Sequence, residues 1–162
     1  FFIDSKKHWG GIFSGSLKIQ FDSQNKVKTN SEDGSLTLAS LGAKMRWEDF
    51  RFQARIDSQS TQFEDASMDY QSTLINVGTM YSWTPWAFGF NFQNNDKQYQ
   101  NPDPASNLVL QNKKDEMTLN FKYSFSNSTL AGADLKQIKQ ASNDETRSYK
   151  ANQITVQYIW MF

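Results

Sequence analysis

Four basic residues fall in two pairs, each evenly spaced: Lys44 and Arg46, then Arg51 and Arg55, with Glu48-Asp49 between the pairs. In extended chain the members of each pair share a face, and a two-residue fold-back at Glu48-Asp49 sets even positions of one strand opposite odd positions of the other, so all four gather on one face of a hairpin. Lys18, Lys122 and Lys136 fall on the corresponding face of their own segments, against Asp22, Asp57, Glu116 and Asp134. The balance of that face is basic. Ammonium and guanidinium groups lining a wet surface lower the electrostatic barrier for anions and raise it for cations. They do not make or break bonds. Catalysis by Ser, His and carboxylate groups is poorly supported, since His8 is the only histidine and no Gly-x-Ser-x-Gly elbow occurs. The chain has no Cys, so neither thiol metal sites nor disulfides are available. The acidic groups Asp22, Glu32, Asp33 and Glu64, Asp65, Asp69 match no calcium-loop spacing. No metal or cofactor is expected, and the chain is expected not to be an enzyme.

The elements that would hold these charges are strands. Residues 36–47 place Ala39, Leu41, Ala43, Met45 and Trp47 opposite Ser40, Gly42, Lys44 and Arg46. Residues 50–57 answer with Phe50, Phe52, Ala54 and Ile56 against Arg51, Gln53, Arg55 and Asp57. The same alternation marks strands near 12–21, 73–83, 86–93, 117–125, 129–140 and 149–162, about eight in all. Residues 86–93 carry the most apolar face, Trp86, Phe88, Phe90 and Phe92. In 129–140, Ile138 falls on the wrong parity, and a bulge would restore the phase. Polar segments 22–34, 58–71, 94–115 and 141–148 read as long loops. Tight turns are expected at 48–49, 84–85 and 126–128. The loop residues Tyr70, Tyr99 and Leu108 to Leu110 are candidates for contact with a partner or for folding over the mouth. Asn127-Ser128-Thr129 matches a glycosylation sequon, which is discounted in a turn of this kind.

Composition agrees with alternating strands. Aromatic residues make up 15% of the 162 residues, yet mean hydropathy is only -0.70. No run reaches the ~20 apolar residues of a membrane helix, so any membrane crossing has to be by strands. Seventeen basic residues balance 17 acidic ones, which gives no general pull towards nucleic acid. No signal segment opens the chain at Phe1-Phe2-Ile3-Asp4, so it reads as mature or trimmed.

The aromatic residues Trp47, Phe50, Trp83, Trp86, Phe125, Trp160 and Phe162 all fall beside the short turns, where a membrane girdle would lie. The last segment alternates Ile154, Val156, Tyr158, Trp160 and Phe162 with polar residues and stops on an aromatic. Tyr158 followed by Trp160-Met161-Phe162 resembles the C-terminal assembly signature of bacterial outer-membrane β-barrels, and the pattern over nearly the whole chain is similar to that class, porin-like or small eight-stranded. The resemblance implies an all-β, antiparallel transmembrane barrel in the bacterial outer membrane, as one domain over 1–162. It also implies contact with outer-membrane lipid and lipopolysaccharide, recognition by the barrel assembly machinery through Tyr158, Trp160 and Phe162, passage of small solutes, and a homo-oligomer as one option. A soluble calycin-like or sandwich fold is the competing expectation, with the aromatic faces buried in a core.

Two functions are carried forward. In one, the chain is a porin-like channel whose basic residues favour small anions, either as a complete small barrel or as part of a larger one. In the other, it is a non-conducting barrel acting through its loops in adhesion, envelope structure or complex assembly. An eight-stranded barrel, closed by pairing 149–162 with 12–21, would be filled by side chains, with its basic groups paired to Asp134 and Glu48.

Overall fold

The computed structural model describes residues 2–9, 13–29, 32–63, 66–126 and 128–160, with side chains described from Ser35 onward. Nine antiparallel strands form one sheet in chain order: β1 (Phe2–Trp9), β2 (Phe13–Thr29), β3 (Glu32–Trp47), β4 (Phe50–Phe63), β5 (Tyr70–Trp83), β6 (Trp86–Pro102), β7 (Val109–Ser126), β8 (Thr129–Ser142) and β9 (Tyr149–Trp160). Each strand pairs only with its neighbours in sequence, so every connection is a hairpin.

The sheet has two unlike faces. On β5, Ile75, Val77, Thr79, Tyr81 and Trp83 share one side, and their ladder partners on β6 include Phe92, Phe90, Phe88 and Trp86. These continue to Met117, Leu119, Phe121 and Tyr123 on β7. The aromatic residues on this side pack against one another, Trp86 tilted on Tyr123 at 4.3 Å and Phe88 edge to face with Phe121 at 5.1 Å between ring centres. The side is nevertheless open to the exterior: Trp83 is 63% exposed and Val156 77%. Among the described residues, Leu110 is the only buried hydrophobic side chain. A soluble β protein would bury its Phe and Trp stripe in a core, and an apolar face this large in water would associate or aggregate. The soluble alternative is excluded on that ground. Lipid, by contrast, solvates such a face without cost.

Four expectations are corrected. A ninth strand, β1, lies in what reads as a lead segment; its weak alternation, Ile3, Ser5, Lys7 and Trp9, hides it. The polar stretches 22–34, 58–71 and 94–115 are largely not loops, because the hairpins stay paired through them, as at Gln24↔Leu36, Ser60↔Gln71 and Gln98↔Gln111. Connections of two residues at 48–49, 84–85 and 127–128 contrast with six-residue ones at 64–69, 103–108 and 143–148, but β2 and β3, expected to be joined by a long loop, are only two residues apart. Ile138 sits opposite Glu116 and Ala151 in unbroken register, so no bulge rephases it; the shift in that ladder falls at Ser124/Ser126 instead. Finally, β2 has both edges occupied, by β1 and β3, so closure through residues 12–21 does not occur. Among the described residues no ladder joins β9 to β1.

The apolar stripe runs about nine residues on β5 and β7, from Trp83 to Ile75 and from Phe125 to Met117, the length a tilted strand needs to cross the hydrocarbon layer. Beyond it, the same face carries Asn94, Asp115, Lys139 and Lys150 in one continuous ladder row. The hairpins therefore extend past the apolar band with polar residues on both sides.

Candidate functional site

The polar face of β3 and β4 is set by the two-residue turn at Glu48-Asp49, where Glu48 adopts a positive φ of 50°. That turn fixes the register Arg46↔Arg51, Lys44↔Gln53 and Gly42↔Arg55. Like charges directly opposite one another repel. Arg46 and Arg51 nevertheless face each other, and with Lys44 they are exposed and lack an ion-pair partner among the described residues. Arg55 is compensated: its Nε donates to Asp57 at 2.7 Å and its Nη2 to the Ser40 hydroxyl at 3.3 Å. Lys18 lies opposite Gly42 in the ladder row that includes Arg55, and its side chain lies outside the described residues.

The remaining basic residues sit elsewhere. Lys122 on β7 and Lys136 on β8 are separated from β4 by β5 and β6. Lys136 Nζ meets Glu116 at 2.7 Å, and Lys114 holds the other oxygen of the same carboxylate at 2.7 Å. Asp134 accepts from Asn120 Nδ2 at 2.8 Å and serves none of the basic residues of β3 and β4. The expected pairing of the basic cluster with Asp134 and Glu48 is therefore not found among the described residues. The seven basic positions resolve into an uncompensated triad on one hairpin, two paired residues, Lys122 apart from both, and Lys18.

Between these halves the polar face is lined by amides over glycine. A Cβ on Gly78 would come within 3.0 Å of both Asn91 Oδ1 and Gln53 Nε2. Small residues there let amide side chains from the flanking strands lie across the backbone.

At the end opposite the short turns, the connections are tied down. Thr61, 1% exposed, uses its hydroxyl to accept from the Tyr70 amide at 3.1 Å and to donate to the Tyr70 carbonyl at 3.3 Å, closing the β4–β5 ladder. Asn101 Nδ2 donates to the Ala66 carbonyl at 2.8 Å, docking β6 on the short 3-10 turn Ala66–Met68. Arg147 bridges two loops, donating to Asp103 at 2.7 Å and to Asp144 at 3.3 Å. The Asp103 carboxyl is held below the ordinary aspartate value, first by the amides of Ala105 and Ser106 and then by Arg147. Asp144 is lowered as well, chiefly by the Thr146 hydroxyl at 2.7 Å.

This latch was missed in the sequence. Its signal was present in part: the parity of 86–93 runs on unbroken to residue 101, which puts Lys97 and Tyr99 on the polar face of β6. No local pattern pairs Arg147 with Asp103, 44 residues away.

The ladder positions of the aromatic residues expected as a girdle are as follows. Trp47↔Phe50 and Trp83↔Trp86 are ladder pairs closing their hairpins, Phe125 packs on Tyr158 at 6.5 Å, and Trp160 is opposite Thr129. Phe162 lies outside the described residues. His8 belongs to β1, opposite Ser14.

A meander of long antiparallel strands, with an exposed apolar band on one face and a charged, amide-lined surface on the other, defines the wall of an outer-membrane β-barrel. Residues 4–152 match the Gram-negative porin family, and the chain belongs to it. Neither the curated proteins nor the solved structures give a match. Family membership makes this an outer-membrane channel component for small solutes and not an enzyme.

Proposed function

We propose that the polar face of this sheet lines a channel whose path favours small anions, with Lys44, Arg46 and Arg51 as the main determinants. One observation carries the reading: three basic side chains stand exposed on one hairpin, two of them directly opposed, with no ion-pair partner among the described residues. Uncompensated positive charge on a low-dielectric wall concentrates anions and repels cations. Lys18, Arg55, Lys122 and Lys136 extend the basic lining, the paired Arg55 and Lys136 with less effect. Trp47, Phe50, Trp83, Trp86, Phe125, Trp160 and Phe162 form the headgroup-level girdle on the short-turn side, in contact with outer-membrane lipid. Tyr158, Trp160 and Phe162 carry the signal read by the barrel assembly machinery. Lipopolysaccharide meets the opposite, outer edge, where Lys139 and Lys150 lie on the exterior face.

Planar-bilayer recording across a salt gradient tests the charge assignment. The unaltered protein is expected to show a reversal potential of anion-preferring sign, and Arg46→Glu with Arg51→Glu is expected to move it towards cations. A reversal potential unchanged by the double substitution would reject the role of these arginines.

A further inference from the structure

The outer end of the polar face holds a second feature, separate from the basic triad. A cavity of about 640 Å³ lies under the docked connections, lined by Leu36, Phe63, Met68, Tyr70, Tyr99 and Lys97, among others. Tyr70 and Tyr99 face each other across the β5–β6 ladder with ring centres 6.0 Å apart. Lys97, two residues before Tyr99 on the same face, sets its ammonium 3.6 Å from the centre of the Tyr70 ring and 4.6 Å from that of Tyr99. Ring quadrupoles orient the cation without cancelling its charge.

The other charges lining the cavity are spent. Arg147 and Asp103 neutralise each other, with Asp144 as a further acceptor. Gln59 donates to the Tyr70 hydroxyl at 2.8 Å, which holds that ring in place. Lys97 has no carboxylate partner among the described residues. The cavity thus combines aromatic and aliphatic walls with one unmatched positive charge. We infer that it is a binding site for a small monocarboxylate with a planar apolar body, the carboxylate on Lys97 and the body against Leu36, Phe63 and Met68.

A dicarboxylate would bring a second charge against apolar walls, and burying it unpaired is costly. A short aliphatic acid would leave the walls unfilled. A neutral aromatic amide would fill them and forgo the charge-assisted contact. The inference rests on the polar face being open to water, as in the channel reading, but it concerns binding and does not require conduction.

The test is calorimetric titration of the full, detergent-folded chain with benzoate, acetate and benzamide. Benzoate is expected to bind more tightly than either by about tenfold, the ratio a charge-assisted hydrogen bond supports. Lys97→Gln should abolish the preference for benzoate over benzamide while leaving benzamide binding in place. No heat with benzoate, or equal affinity for benzoate and benzamide, would overturn the site without recourse to the variant. Loss of ion selectivity in bilayers with benzoate binding intact would count against the triad alone, so the two assignments fail separately.

Discussion

The most informative residues are those whose charge is left uncompensated. Lys44, Arg46 and Arg51 sit within one hairpin, whereas Lys136 and Lys114 share Glu116 and Arg55 holds Asp57. Neutralising Lys136 should therefore alter selectivity less than neutralising Arg46, which paired Lys136→Gln and Arg46→Gln reversal potentials would check. The turn beneath the triad carries its own cost, since Glu48 occupies left-handed backbone at φ 50°. Replacing Glu48 with Gly removes that strain, and urea unfolding from lipid should show a gain of about 0.5–1 kcal/mol. At the other end, the lowered Asp103 and Asp144 make the loop latch dependent on pH. Their contribution is fully present above the ordinary aspartate value and is lost as pH falls through the lowered folded values. Amide exchange at Ala105 and Ser106 should accelerate over that acidic window, and Arg147→Gln should move the onset to higher pH by removing one of the groups that hold Asp103 down. Onset unchanged by that substitution would show that the backbone amides alone set it.

At the scale of the strand, the two faces make opposite demands. Phe90 lies mid-band between Thr79 and Leu119, so Phe90→Arg should destabilise by about 2–4 kcal/mol. Gln93→Arg, on the polar face opposite Glu116, should stay within about 0.5 kcal/mol. Equal losses from the two would contradict the assignment of faces. The same asymmetry explains what could be read in the sequence. Residues 50–57 and 86–93 announced themselves because lipid enforces strict alternation there. Residues 58–63 and 94–102 are strands just as fully, yet they stand beyond the apolar band, where Ser58, Ser60, Asp96 and Gln98 meet water on the outer face and nothing enforces an alternation. Hydrophobic periodicity reports where lipid is, not where the backbone is paired. Strand β1 was hidden for a different reason: it lies level with the apolar band, Ile3 opposite Ile19 and Trp9 opposite Phe13, but Ser5 and Lys7 interrupt its apolar parity. The basic triad was legible because it lies inside the band; the Arg147 latch and the Lys97 cavity were not, because they join distant segments outside it.

For the whole molecule, the nine strands make a continuous wall with β1 and β9 at its two margins among the described residues. The outer side of β9 is exposed along almost its full length, with Ile154 at 72%. What makes this wall a channel lining is the claim that its polar face is wet and positively charged within the membrane. The absence of Cys from the chain allows a direct measurement. Arg51→Cys and Phe52→Cys place single thiols at adjacent positions on opposite faces of β4. In lipid bilayers, a membrane-impermeant sulfonate thiol reagent is expected to modify Arg51→Cys and to reduce the preference for anions, while Phe52→Cys stays unmodified. Modification at position 52 with protection at position 51 would place water on the wrong face and contradict the account.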